Sequence, residues 1–143
     1  MAKKVRDAMT AKPRSAEPGL SLAEAAQLMK SEDVGSLPIV EEGRLVAVLT
    51  DRDIGIRAVA EGVDPKAVMV GDVASRELVT VGPEQDLDEA LALMARRQMR
   101  RLPVVEEDRL VGIVAQADVA QEAKAKQGGE ALEEISKPSG LES

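Results

Sequence analysis

Three side chains within a run of four, Thr50, Arg52 and Asp53, carry the chemistry with which this sequence could hold a small molecule. They follow the apolar stretch Ala47-Val48-Leu49 and so stand where a strand would hand over to a helix. A carboxylate such as Asp53 accepts hydrogen bonds from two neighbouring hydroxyls. The Thr50 hydroxyl can bond a phosphate or sugar oxygen, Arg52 adds positive charge, and the free N–H groups of a helix start attract an anion. The same spacing is that of a capping box, with threonine as N-cap and an acid at N3, where the helix dipole favours it. Spacing alone favours the cap. A second run, Gly112-Ile113-Val114-Ala115-Gln116-Ala117-Asp118, keeps the acid and offers a glycine that permits close backbone approach. It puts Ala115 where the threonine stood. An alanine can neither cap a helix nor bond a phosphate, so sites built on the two runs should be unequal and the first the stronger.

Arg96, Arg97, Arg100 and Arg101 form the one basic cluster. Helical spacing pairs 96 with 100 and 97 with 101, which suits ordinary cations at a helix C-terminus, and that reading is preferred for Arg96 and Arg97. For Arg101, just ahead of Leu102-Pro103, a ligand role stays open. Glu41-Glu42 and Glu106-Glu107 read as solvated turns before they read as metal ligands. The 143 residues include no cysteine, histidine, phenylalanine, tyrosine or tryptophan. That leaves no thiolate or imidazole ligand and no histidine base, and no nucleophile–base pair or glycine-rich phosphate loop stands out. The expectation is a binding module rather than an enzyme. A net charge of −7 and the lack of stacking aromatics weigh against nucleic acid. No apolar run nears a membrane span, and Met-Ala-Lys-Lys-Val-Arg leads into no secretory apolar core. The compartment these features imply is the cytoplasm.

What must position these groups is a duplicated unit. Adding 65 to the residue number carries Val5, Asp7 and Pro18 onto Val70, Asp72 and Pro83. It carries Leu22, Glu24, Ala25, Leu28 and Met29 onto Leu87, Glu89, Ala90, Leu93 and Met94, and Asp53 onto Asp118. An offset held without a gap from Val5 to Asp53 is a tandem duplication. Each copy reads as β-α-β-β-α. Arg14 to Ala16 and Leu78 to Val81 are short apolar segments. Ser21 with Glu24 and Asp86 with Glu89 predict N-caps for helices that turn Leu22, Ala25, Ala26, Met29 and Leu87, Ala90, Leu91, Met94 inward. Hairpins follow, Leu37 to Val40 with Arg44 to Thr50 and Leu102 to Val105 with Arg109 to Ala115. Second helices run over about 51–61 and 116–126, stopped by Gly62 and by Gly128-Gly129. The fold class expected is α+β: repeats 5–62 and 70–126 packed by their sheets about a pseudo-twofold axis, since half-cores of about sixty residues are marginal alone. Residues 127–143 read as a polar, disordered tail with at most a short turn at Ala131–Ile135.

The stretch Val34-Gly35-Ser36-Leu37-Pro38-Ile39-Val40, its Glu-Gly turn and Leu45-Val46-Ala47-Val48-Leu49-Thr50-Asp51-Arg52-Asp53 resemble the cystathionine-β-synthase (CBS) motif. Residues 99–118 resemble its second copy, and the likeness covers about 5–125. Length and the Thr50-to-Gly62 stretch are similar to stand-alone bacterial CBS pairs of the hypoxic-response type. The resemblance implies clefts between the copies that often take AMP, ATP or S-adenosylmethionine, and two pairs stacked as a disc-shaped homodimer. It implies no required cofactor. The family pattern, glycine-hydrophobic-x-Thr/Ser-x-x-Asp/Asn, has Ala47 at its glycine position in the first copy. It implies ribose on Asp53 or Asp118, phosphate near Thr50, Arg52 and Arg101, and adenine against Val34, Ser36 and Leu37. The functional expectation is a regulatory or sensor module acting on an unknown effector protein. The alternative is a ligand-free structural or interaction dimer.

Overall fold

A computed structural model describes residues 3–127. The expected tail, its turn and the Gly128-Gly129 stop lie outside them. The first repeat comprises helix α1 (Val5–Ala8), strand β1 (Thr10–Ala11), helix α2 (Leu22–Glu32), strands β2 (Ser36–Glu41) and β3 (Arg44–Thr50), and a short helix α3 (Asp51–Asp53). The second comprises a 3-10 turn at Val70–Asp72, helix α4 (Leu87–Arg97), strands β4 (Arg101–Glu106) and β5 (Arg109–Ala115), and helix α5 (Gln116–Gln127). The fold is α+β, as expected.

Helix α2 starts as its sequence predicts, with Ser21 Oγ accepting from the Glu24 N–H at 3.1 Å. Asp86 does not cap α4 in that way; its carboxylate turns to Lys4 Nζ at 3.4 Å, a partner 82 residues away that local spacing could not supply. Both helices end on a non-glycine residue in the left-handed region, Asp33 and Gln98, each at φ 56°. The N–H groups of Val34 and Met99 then reach back to Met29 and Met94 carbonyls, which closes each helix end. Leu22, Ala25 and Met29 are buried, as are Leu87, Ala90 and Met94. Leu91, expected inward, lies at the edge of that stripe and is 37% exposed.

The hairpins take the expected strands one residue longer at the first strand's two ends, with a bulge at Ile39/Val40 and its equivalent Val104/Val105. Glu42 and Gly43 both have positive φ, and so do Glu107 and Asp108, the geometry that matches a tight turn to strand twist. The two hairpins meet edge to edge where Arg44 faces Arg109. There the Leu45 N–H donates to the Asp108 carbonyl and the Leu110 N–H to the Gly43 carbonyl, equivalents exchanged across the pseudo-twofold axis. The strand expected ahead of each first helix shrinks to one parallel bridge, Ala16 to Ile39 and Val81 to Val104.

The helix expected over 51–61 holds α-helical form only for α3. From Ile54 to Val59 it widens to a π-helix, with the Ala60 N–H donating to the Gly55 carbonyl at 3.0 Å. Gly55 and the β-branched Ile54, Ile56 and Val59 are weak α-helix formers, and the wider turn still buries Ala58. Gly62, at φ 73°, ends the segment as predicted.

The principal departure is a crossover. Strand β1 pairs not with its own repeat but with β5, Thr10 facing Ile113 and Ala11 facing Gly112. Ser75, the equivalent of Thr10, pairs with Val48 of β3. Val5 is buried in the core around Leu87, Met94, Leu102 and Val114, and Val70 in the core around Leu22, Met29, Leu37 and Leu49. Each sequence repeat therefore lends its leading segment to the other. This explains Gly112: a Cβ there would meet Met9 Sδ at 2.6 Å and the Thr10 carbonyl at 3.0 Å. The equivalent pair in the first core is Ala47 and Ala74, both buried, where a smaller residue in the crossing segment accompanies a larger one in the strand. Gly112 thus makes room for the crossing chain.

Candidate functional site

The two strand-to-helix turns differ as their sequences imply. At the first, the Thr50 N–H donates to Asp53 Oδ2 at 3.0 Å and the Asp53 N–H donates to Thr50 Oγ1 at 3.1 Å. The capping box is formed, and half-buried Asp53 spends one oxygen on it while the other lies 4.0 Å from Arg57 Nη1. Arg52 is exposed. At the second turn Ala115 has no hydroxyl to enter such a box with Asp118.

A cleft of about 180 Å³ opens between the repeats. Its walls include Val34, Ser36, Leu37 and Pro38 from the first repeat, Arg101, Ile113 and Asp118 from the second, and Thr10, Pro13 and Arg14 from the crossing segment. Five of the residues expected from sequence converge here: Val34, Ser36, Leu37, Arg101 and Asp118. Thr50, Arg52 and Asp53 do not line it, although Thr50 stands opposite Ser36 in the β2–β3 ladder. The expected arrangement set Val34 to Leu37 beside Thr50 and Asp53 of the same repeat. In this cleft the wall from the first repeat faces Asp118 of the second, which follows β5.

Thr10, Pro13, Arg14, Glu32 and Ile113 also line the cleft and were not expected. Thr10, Pro13 and Arg14 arrive with the crossing segment, which leaves no mark in local spacing, while Glu32 ends α2 and Ile113 lies on β5 where β1 pairs with it. Arg14 and Glu32 form an ion pair at 3.7 Å, both partners substantially solvated. Arg96, Arg97, Arg100 and Arg101 are exposed and, among the described residues, none forms an ion pair. Also among the described residues, no group of three or more carboxylates is placed to hold a metal ion, and no helix is long and apolar enough to cross a membrane.

Two hairpins joined about a pseudo-twofold axis, with a cleft walled by both repeats, define a tandem-repeat α+β fold. The CBS domain model matches residues 5–54 and 70–125, and the chain belongs to the CBS-domain family. It is 44% identical over 133 residues to CBS domain-containing protein YhcV of Bacillus subtilis, covering 92% of this chain and 94% of that one. It is similar to the crystal structure of Hypoxic Response Protein I with two coordinated zinc ions, at TM-score 0.76 and 40% identity, covering 83% of this chain and 98% of that one. It is similar also to the crystal structure of CBSX2 in complex with AMP, at TM-score 0.76 and 26% identity, covering 87% and 98%.

Proposed function

We propose that this protein is a stand-alone regulatory module that binds an adenosine-containing nucleotide between its repeats. One observation carries the reading: the cleft gathers an aliphatic wall (Val34, Leu37), a hydroxyl (Ser36), a carboxylate (Asp118) and a guanidinium (Arg101) that forms no ion pair among the described residues, from two repeats. The wall suits the faces of a purine, the carboxylate accepts both ribose hydroxyls, and the guanidinium meets a phosphate. The AMP complex of a similar structure supports the choice of AMP as first ligand to test. ATP and S-adenosylmethionine share the adenosine half and are the next two. The zinc of the other similar structure finds no cysteine or histidine here.

Binding without turnover is the mode proposed, since the chain lacks any histidine or cysteine to act as base or nucleophile. A thermal-shift panel of AMP, ADP, ATP, S-adenosylmethionine and NAD tests the reading. A ligand at a hundred times its dissociation constant stabilises by about 2.7 kcal/mol. No shift with any adenosine ligand refutes nucleotide binding and leaves the structural dimer. Magnesium-ATP should be recovered intact after incubation; ADP in stoichiometric excess refutes the non-enzymatic reading.

The second reading, an interaction dimer, has its own observation. Ile56 is 50% and Val59 71% exposed on the π-helix, apolar surface that a second copy would cover. The homodimer is compatible with either reading.

A further inference from the structure

Residues 3–11 are built into the second repeat. The Val5 and Arg6 N–H groups donate to the Gln85 and Pro83 carbonyls, and the Leu87 N–H donates to the Lys3 carbonyl. Val5 enters the core there, and β1 pairs with β5. Three ion pairs add charge complementarity: Lys3 with Glu122 at 3.2 Å, Lys4 with Asp86 at 3.4 Å, and Arg6 with Glu84. The equivalent segment has Val68, Met69 and Gly71 at those three positions and is tied into the chain at both ends. Residues 3–11 thus form a plug, basic around one buried valine, and the second repeat forms its acidic-rimmed socket. The link from plug to first repeat, residues 12–15, is strained. Lys12 sits at φ 53° ahead of Pro13. The left-handed region is costly for a residue with a Cβ, and proline pushes its predecessor towards extended backbone. The other non-glycine residues with positive φ have equivalents that share it: Asp33 with Gln98, Glu42 with Glu107, and Asp108 with Gly43. Lys12 differs among the described residues, because its equivalent Glu77 has no positive φ. Its turn belongs to the route of this link and not to the fold of the repeat.

We propose that two copies of this chain exchange their leading segments, each plug of residues 3–11 filling the socket of the other copy. Exchange keeps the contacts of the plug and straightens the link, so the strain at Lys12 is relieved once in each chain. Four extended residues span about 13 Å, which sets the two copies side by side at the links. Thr10 on the plug lines the cleft that holds Asp118. In the exchanged pair each cleft therefore takes that hydroxyl from the partner copy and is incomplete without it. The exchange does not depend on the nucleotide reading.

Two full-length variants test this, Thr10→Cys and Ile113→Cys, which face each other across β1 and β5 in a chain with no cysteine of its own. They are mixed unfolded in urea, refolded together at a series of concentrations, diluted, and oxidised mildly. Exchange brings the thiols of different chains face to face, so a disulfide-linked species at twice the 15.2 kDa monomer mass should grow with refolding concentration. The double variant refolded at high dilution should link within one chain and remain at monomer mass. Lys12→Gly, added to both single variants, keeps the contacts and removes the strain of the closed link. It should raise the concentration needed for half-maximal linking by about tenfold or more. A population that light scattering finds monomeric at every concentration overturns the exchange. So does a dimer in which no interchain link forms, since that dimer meets face to face with its plugs at home. Linking that Lys12→Gly leaves unchanged overturns the strained link as the cause.

Discussion

Val5 lies in the first sequence repeat and is fully buried in the core of the second, so Val5→Ala should damage the half of the molecule in which it is not encoded. The substitution removes two carbon groups, about 1.6 kcal/mol at roughly 0.8 kcal/mol each. Incomplete collapse of the space left behind adds up to about 1 kcal/mol. Alanine is the better helix former in α1, which returns a few tenths of a kcal/mol. The net loss is about 2 kcal/mol, or roughly 6–8 °C in melting temperature for a chain of this size. Circular dichroism must follow the melt, because the chain has no tyrosine or tryptophan to fluoresce. Hydrogen exchange locates the damage: amides of α4, β4 and β5 should lose more protection than those of α2, β2 and β3. Val70→Ala, at the equivalent position and also fully buried, should give the reverse pattern. Greater loss in α2, β2 and β3 on Val5→Ala refutes the crossover.

Asp118→Ala should lower AMP affinity about tenfold or more in calorimetry, while stability changes by less than about 0.5 kcal/mol. Asp53→Ala breaks the Thr50 capping box and should cost about 1 kcal/mol in urea denaturation; an unchanged midpoint counts against the box. Gly43→Ala should destabilise by about 2 kcal/mol in the same assay. At φ 84° a side chain is strained, and a Cβ would overlap Arg109 Nη1 and displace its 3.1 Å bond to the Glu42 carbonyl. Light scattering should give twice the 15.2 kDa monomer mass, falling to one on Val59→Glu if the π-helix face is the contact.

The elements were legible because each rests on local chemistry. Ser21 with Glu24 announced the start of α2, the strand limits of Arg44–Thr50 and Arg109–Ala115 followed from apolar runs between turns, and Gly62 marked a stop. What was not legible depends on partners distant in sequence. Asp86 looks like a cap until Lys4 arrives, and Gly112 looks like a ligand-approach glycine until Met9 and Thr10 occupy the space. For the site, the cleft groups the candidate residues differently from their order along the chain. Val34, Ser36 and Leu37 were joined to Asp53 of the same repeat, whereas the cleft joins them to Asp118. One signal was present: the 65-residue match begins at Val5, ahead of the first helix, which marks the leading segment as part of the structural unit.

The crossover also gives the two halves different histories on the ribosome. The first core needs residues near Val70, whose N–H bonds the Leu20 carbonyl, and these follow soon after β3 is made. The second core needs the start of the chain, where the Val5 N–H bonds the Gln85 carbonyl across 80 residues. Closing that longer loop costs only a few tenths of a kcal/mol more. In time the difference is larger. At about 5–20 residues per second, the leading segment waits roughly 3–13 s between the completion of the first hairpin and that of the second. During that interval Val5 and Met9 have no core to enter, while in the first half Ser75 already covers β3 at Val48 and only its Arg44 end waits for Arg109 of β5.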